Sequence, residues 1–259
     1  MLVETTLFGV RDKVKDALDM LREFESPEGY YLAYSGGKDS TVLLDLARRS
    51  GVKFDAHYNL TTVDPPELVY FIREQKDVAV RTPEKTMWEL IVEKRFPPTR
   101  FVRYCCQVLK ESSGVDRRIL TGVRAAESAK RSKRQQVERC MRDDSKTYFH
   151  PIFYWSDEDV WEYIRSRNLP YCSLYDEGFR RLGCICCPMQ DGKDMIRDGE
   201  RWPKFKAQYI RTFQKMLDKK IADGLDTGDW RTGQDVWDWW VRPNPPKETD
   251  EAQLTIFEG

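Results

Sequence analysis

The sequence predicts an α/β fold, a parallel sheet with helices on both faces, followed by a helical and loop-rich C-terminal extension. Strand-length apolar runs alternate with amphipathic helical stretches from Tyr30 to Val123, the order that builds parallel sheets. The loop SGGKDST, residues 35 to 41, joins the first of those strands to the first of those helices. Ligands of such sheets bind at the carboxyl ends of the strands, where this loop sits. No internal repeat interrupts the order, and two regions are expected, 1–190 and 191–259.

Val10, Val14, Ala17, Leu18, Leu21 and Phe24 recur at three- and four-residue intervals, which predicts an amphipathic helix ended by Ser26-Pro27-Glu28-Gly29. Tyr30 to Tyr34 reads as a buried strand, and Asp39 to Arg49 as a helix stopped by Gly51. Lys53 to Leu60 is a second strand, with Phe54, Ala56 and Tyr58 on one face and Asp55 and His57 on the other. Asp64-Pro65-Pro66-Glu67 opens a helix through Gln75, with prolines in the first turn, where a missing N–H does no harm. A strand at Val78 to Val80, a helix around Met87 to Lys94 and a strand at Ile119 to Val123 complete the alternation. Ser156-Asp157-Glu158-Asp159 begins another helix in capping-box fashion, with Trp155, Val160, Trp161 and Ile164 as its core. A cysteine-bearing loop spans 171–190, a long helix runs from about Pro203 to Ala222, and Pro243 to Glu251 is expected to be disordered.

Hydrophobic residues make up 40% of the 259 and charged residues 33%, enough apolar sequence for a core in a soluble chain. The N-terminus has no apolar run of signal-peptide length and no stretch approaches membrane-spanning length, so a cytoplasmic, non-membrane protein is expected. The net charge is zero, which gives no overall attraction to polyanions. Residues 117–146 are the exception, with ten Lys or Arg against four Asp or Glu: a solvated face, a phosphate-gripping loop or a nucleic-acid patch.

A strand-to-helix turn with two glycines lets backbone N–H groups approach an anion at the positive end of a helix dipole. Ser35 and Ser40 add hydroxyls and Lys38 a cation, and the spacing is not that of the Walker loop. SGGKDS resembles the PP-loop of the N-type ATP pyrophosphatases. This family includes the ATP sulfurylase small subunit, tRNA thiolases and the phosphoadenylylsulfate reductase group. HPIFYWSDEDVWEYI, 150 to 164, and TGVRAAES, 121 to 128, are similar to further segments of the reductase group and the sulfurylase subunit. The resemblance covers about residues 28 to 190. It implies an adenine nucleotide alpha hydrolase-like, Rossmann-like fold that binds ATP with Mg²⁺ and cleaves it between the α and β phosphates. Ser35, Gly36, Gly37, Lys38, Asp39, Ser40 and Thr41 would then surround pyrophosphate. Ala33, Tyr34, Tyr58, Asn59 and Leu60 would flank the adenosine, and Gly122, Arg124, Ser128 and Arg131 would lie near the nucleotide. Lys38, Arg124 and Asp39 would be catalytic, with Asp39 and Asp64 either as Mg²⁺ contacts or merely as helix caps.

Seven cysteines, with adjacent pairs, suit metal or redox chemistry better than disulfides. Four thiolates fit zinc or an iron–sulfur cluster equally by count, and adjacent ligands are awkward for zinc. The order Cys105-Cys106, then Cys184 and Cys187, with Lys110 four residues after Cys106, resembles the 4Fe-4S site of adenylylsulfate reductases. That implies a 4Fe-4S cluster on those four, with zinc as the runner-up. Cys186 stands outside the simple pattern, and Cys140 and Cys172 are expected to be unligated.

Reductases of this group attack sulfur with a cysteine in a C-terminal Glu-Cys-Gly-Ile/Leu-His segment, and their PP-loop is degraded. Here no Cys follows Cys187, no His follows His150, and the loop is whole. The combination resembles the reductase-like ATPases of DNA phosphorothioation systems. The leading expectation is therefore an ATP pyrophosphatase activating a nucleic acid, DNA or tRNA, for sulfur insertion, with a cysteine desulfurase or other sulfur donor as partner and room for a homodimer. Residues 117–146 and Trp230, Trp237, Trp239 and Trp240 are candidates to grip the polymer, those tryptophans reading first as a hydrophobic clamp. The alternatives are a sulfonucleotide reductase using an external thiol, and a non-catalytic nucleotide-binding subunit of a phage or defence modification complex.

Overall fold

In the computed structural model, which describes residues 1–6, 9–111, 113–140 and 145–242, the alternation beginning at Tyr30 forms one six-stranded sheet. A hairpin of β1 (Val3–Thr6) and β2 (Gly9–Asp12) precedes it, where the apolar periodicity had suggested the start of a helix. Val10 lies exposed on β2, and α1 (Lys13–Glu23) begins only after Asp12, whose carboxylate accepts the N–H groups of Val14 and Lys15. The cap, not the first apolar residue, sets where the helix starts.

β3 (Tyr30–Ala33), α2 (Lys38–Ser50), β4 (Phe54–Asn59), α3 (Pro66–Arg73) and β5 (Val78–Arg81) follow as expected, with Gly51 in the left-handed region at the end of α2. α4 (Met87–Lys94) opens on a capping box of Thr86 and Glu89, and a short helix, α5 (Tyr104–Leu109), carries the first cysteine pair. β6 (Arg118–Leu120) ends three residues before the predicted strand does. β7 (Val137–Arg139), β8 (Thr147–Phe149) and α6 (Asp157–Ser166) complete the sheet and its cover. The strand order is β5-β4-β3-β6-β8-β7, parallel except for the edge strand β7. Tyr30 pairs with Phe54 and Leu32 with Ala56, which puts these four on one face and Tyr31 with Asp55 and His57 on the other.

The chain divides into two compact units, one of Met1–Glu84 with Cys106–Cys184, the other of Lys85–Cys105 with Ile185–Gly259. The division thus differs from the one expected at 190 and 191, because residues 85–105 belong with the C-terminal helices. In the first unit α2 packs against α1 and α6, and the Tyr163 hydroxyl donates to Asp45 at 2.7 Å across the α2–α6 contact. In the second unit α4 lies on α8 (Pro203–Ala222), which also meets α7 (Gly192–Arg201) and α9 (Gly233–Trp240). Its core is a chain of rings: Trp88, Tyr209, Phe213, Trp237 and Trp240. The disorder expected from Pro243 onward lies outside the described residues. No helix among the described residues is long and apolar enough to cross a membrane.

Candidate functional site

The carboxyl ends of β3 and β6 bring SGGKDST and TGVRAAES together in the first unit. Gly36 turns the chain at φ +72°, and a side chain there would meet Leu68 Cδ1 at 2.6 Å and Ile72 Cδ1 at 2.8 Å, so only glycine fits. Gly122 lies against the first turn of α2; a Cβ there would sit 2.9 Å from the carbonyl carbon of Asp39. The two glycines therefore let three backbone segments close on one small volume.

Much of the loop's hydroxyl chemistry is internal. The Ser35 N–H donates to Ser40 Oγ at 3.2 Å, Ser40 Oγ donates to the Gly37 carbonyl at 2.9 Å, and the Ser35 and Ser40 hydroxyls are 3.1 Å apart. Ser40 is buried and serves to brace the turn. Tyr34 and Thr41 are buried beneath it with their hydroxyls 3.3 Å apart, and burial pushes the Tyr34 phenol up to about 12. Of Tyr34, then, only the backbone stands at the loop. Ala33 is half-buried at the strand end. The Asn59 amide donates to the Lys110 carbonyl at 3.0 Å and Leu60 N–H to the Arg81 carbonyl at 2.9 Å, so both hold neighbouring segments at the end of β4.

The charged groups converge. Lys38 Nζ lies 3.0 Å from Asp157 Oδ1 and 3.4 Å from Asp39 Oδ2. Arg124 donates from Nε to Asp39 Oδ1 at 2.6 Å, from Nη2 to Asp157 Oδ1 at 2.8 Å and from Nη1 to the Trp155 carbonyl at 3.2 Å. Two cations and two carboxylates thus alternate around a closed ring. Lys38 and Arg124 are buried, whereas the Asp157 side chain is 56% exposed against 20% for Asp39. Partial burial raises the pKa of Asp157, but its bonds to Lys38 and Arg124 outweigh that and hold it below the usual carboxylate range. Burial works against the Arg124 charge, and Asp39 and Asp157 more than restore it.

Two residues here were not anticipated. Asp157 reads in the sequence only as the first turn of α6, and nothing in its spacing marks it as a partner of Lys38. Tyr175 comes from the cysteine-bearing loop: its hydroxyl accepts the backbone N–H of Lys38 at 2.8 Å. Trp161 and Tyr171 brace its ring edge-on, at 5.2 and 6.3 Å. Trp161, expected in the helix core with Trp155, Val160 and Ile164, is instead half-buried in this aromatic support, while those three are buried.

Other expected contacts have local work. Asp64 Oδ2 accepts the Thr61 N–H at 2.6 Å and closes its own turn. Ser128 Oγ accepts the Arg131 N–H at 3.2 Å, and Arg131 pairs with Glu127. Within 117–146, Arg117 pairs with Asp55, Arg118 with the Phe24 carbonyl and Arg134 with Glu138, while Lys130, Lys133 and Arg139 are exposed.

The cysteines are shared between the two units. Cys106 and Cys184 belong to the first unit, Cys105 and Cys187 to the second. Among the described residues no group of three or more His, Cys, Asp or Glu is arranged to hold a metal ion. The four cysteines expected as 4Fe-4S or zinc ligands are thus divided between the two units, and no chemical step is assigned to them. Cys184 Sγ donates to Thr61 Oγ1 at 3.4 Å. Cys186 is fully buried at φ +56°, with Sγ 3.4 Å from the Met195 carbonyl, and burial raises its thiol pKa. That geometry makes it a packing residue of the second unit.

The model of the phosphoadenosine phosphosulfate reductase domain matches residues 29–190. An adenosine 5'-phosphosulfate reductase of Geobacillus kaustophilus is 31% identical over 223 residues, covering 77% of this chain and 90% of that protein. An uncharacterized protein of Methanocaldococcus jannaschii is 27% identical over 223 residues, covering 77% of this chain and 45% of that protein. The chain spans about half the length of two such Methanocaldococcus jannaschii relatives, 45% of one and 53% of the other. Among solved structures, a phosphoadenylyl-sulfate reductase from Candida auris, in a phosphate complex, superimposes with a TM-score of 0.52 at 19% identity, over 65% of this chain and 88% of that one. At that identity the likeness is one of fold.

Proposed function

The chain belongs to the phosphoadenosine phosphosulfate reductase domain family, and from that premise we propose that it is a PP-loop ATP pyrophosphatase, cleaving ATP to AMP and pyrophosphate to activate an acceptor. The observation that carries the reading is the intact SGGKDS turn at the amino end of α2, with Lys38 and Arg124 converging on one point beside it. An acceptor oxygen attacks the α-phosphate and the bond to the α–β bridging oxygen breaks, leaving an acceptor adenylate from which the sulfur nucleophile later displaces AMP. The negative charge that develops on the departing pyrophosphate meets Lys38, Arg124 and the helix terminus. Both cations are buried and already oriented, so little reorganisation accompanies the step. Mg²⁺, a hard cation that takes most of its ligands from phosphate and water, suits the carboxylate of Asp39 and would neutralise the polyphosphate there. The acceptor in this reading is a nucleic acid, for which the exposed Lys130, Lys133 and Arg139 speak, with sulfur delivered by a separate donor.

A second reading, sulfonucleotide reduction with an external thiol, is favoured by the adenosine 5'-phosphosulfate reductases among the relatives. One set of assays separates the two. ATP with Mg²⁺ and DNA or tRNA is expected to give AMP and pyrophosphate, and Lys38→Ala to lower their formation by about 10²–10³-fold. ADP as the product would overturn the first reading. Sulfite from adenylylsulfate or phosphoadenylylsulfate plus thioredoxin, without AMP from ATP, would establish the second.

A further inference from the structure

Asp157 Oδ1 occupies an unusual place: one oxygen atom lies 3.0 Å from Lys38 Nζ and 2.8 Å from Arg124 Nη2. A phosphate oxygen held by the same two cations would sit at the same distances from both. The atom belongs to the more exposed of the two carboxylates in the ring, on the first residue of α6, which Ser156 caps without help from Asp157. Asp39, by contrast, is tied to Arg124 Nε at 2.6 Å and is largely buried. An arriving phosphate adds negative charge to a ring that is already neutral, so one carboxylate must yield, and Asp157 is the one with solvent to turn into.

We propose that Asp157 is a specificity-determining residue whose carboxylate fills the seat of a phosphate oxygen between Lys38 and Arg124 and competes with the ligand for it. The residue keeps both buried cations paired while the seat is empty, which avoids the large penalty of an uncompensated buried charge. It also sets a threshold for entry. A monoanionic or weakly charged ligand does not displace it, whereas a pyrophosphate group, which brings several oxygens and more charge, does. The inference rests on the reading of the loop as a pyrophosphate site.

Calorimetric titration of inorganic pyrophosphate, and separately of adenosine, into the full chain and its Asp157→Asn and Asp157→Ala variants tests it. Both variants are expected to bind pyrophosphate about tenfold more tightly than the parent, with adenosine affinity unchanged. Equal or weaker pyrophosphate binding in both variants, with the parent binding normally, would overturn the inference and leave the nucleotide reading intact. Failure of the parent and both variants to bind pyrophosphate would overturn the two together. A matched gain for adenosine would show a general loosening of the site and would also overturn it.

Discussion

Around Lys38 the strong contacts are polar: a phenol on an amide, serines on each other, two cations alternating with two carboxylates. Around Tyr209, in the C-terminal unit, they are rings on rings. Tyr209 meets Trp88 and Trp240 at 4.9 Å each, and Trp240 meets Phe213 at 5.3 Å. Close-packed rings offer no charge for an incoming ion to replace, so the second arrangement has one low-energy state. The polar ring has a close alternative, because an incoming anion can replace a carboxylate without leaving either cation bare. A site that must exchange ligands is built from the first kind of contact, and a scaffold from the second.

The sharpest test of the scaffold side is Trp240→Ala. Trp240 is buried, and its indole N–H donates to the Pro98 carbonyl at 2.6 Å, so the substitution removes a large ring and leaves a buried carbonyl without that donor. Urea unfolding should show a loss of about 3–5 kcal/mol. A loss below about 1 kcal/mol would mean that the rings are not what holds this unit. On the other side, Lys38→Ala should lower AMP formation by about 10²–10³-fold. The melting temperature should move little, because Arg124 remains to hold Asp39 and Asp157. If the two effects were exchanged, with stability lost and turnover kept, the comparison would be wrong in its central point. Iron and acid-labile sulfide in anaerobically purified protein, lost in Cys106→Ser and Cys184→Ser, would add a third, metal-based kind of contact.

The contrast also explains what could be read in advance. Gly36, Gly37, Lys38 and Asp39 were legible because a strand–turn–helix contains its own geometry, all within a few residues. Arg124 was legible because it follows a strand that neighbours β3. Asp157 and Tyr175 lie more than a hundred residues from Lys38, and no local periodicity reports a hydrogen bond of that span. The cysteines illustrate the same limit: their spacing is clear, yet spacing alone did not show that Cys105 and Cys187 belong to one unit and Cys106 and Cys184 to the other. In the C-terminal unit α8 was legible from its length and periodicity, whereas α7 has few apolar residues. Helix α9 was hidden in a tryptophan-rich stretch, although Thr232 and Asp235 form a capping box and Val236, Trp237 and Trp240 share a buried face.

Within the first unit, pH offers a smaller effect. His150 is fully buried, with Nδ1 2.7 Å from Thr121 Oγ1 and Nε2 3.4 Å from Glu138. Burial lowers its pKa below 6.5, and the pull of Glu138 does not make up the difference. The unfolded chain then takes up the proton more readily than the folded one. Stability should therefore fall as pH drops below about 6.5, by at most about 1.4 kcal/mol per pH unit. Urea midpoints at pH 7.5 and 5.5 should show a smaller fall for His150→Gln than for the parent chain. Equal falls would mean that other groups carry the pH dependence.

The smallest effect is expected at Tyr175, where a single neutral hydrogen bond braces the loop. Tyr175→Phe keeps the ring against Trp161 and Tyr171 but removes the acceptor for the Lys38 N–H. The bond is only partly buried, so the cost should be about 1 kcal/mol rather than that of a sealed orphan. Burial raises the phenol pKa, and the bond to the Lys38 amide only partly offsets it, so the hydroxyl stays protonated well above neutrality. The Tyr175→Phe difference in urea unfolding should therefore be the same at pH 7 and pH 9.5. A difference that grew at the higher pH would show a phenolate accepting the bond, and the brace would then belong among the charged contacts of the ring.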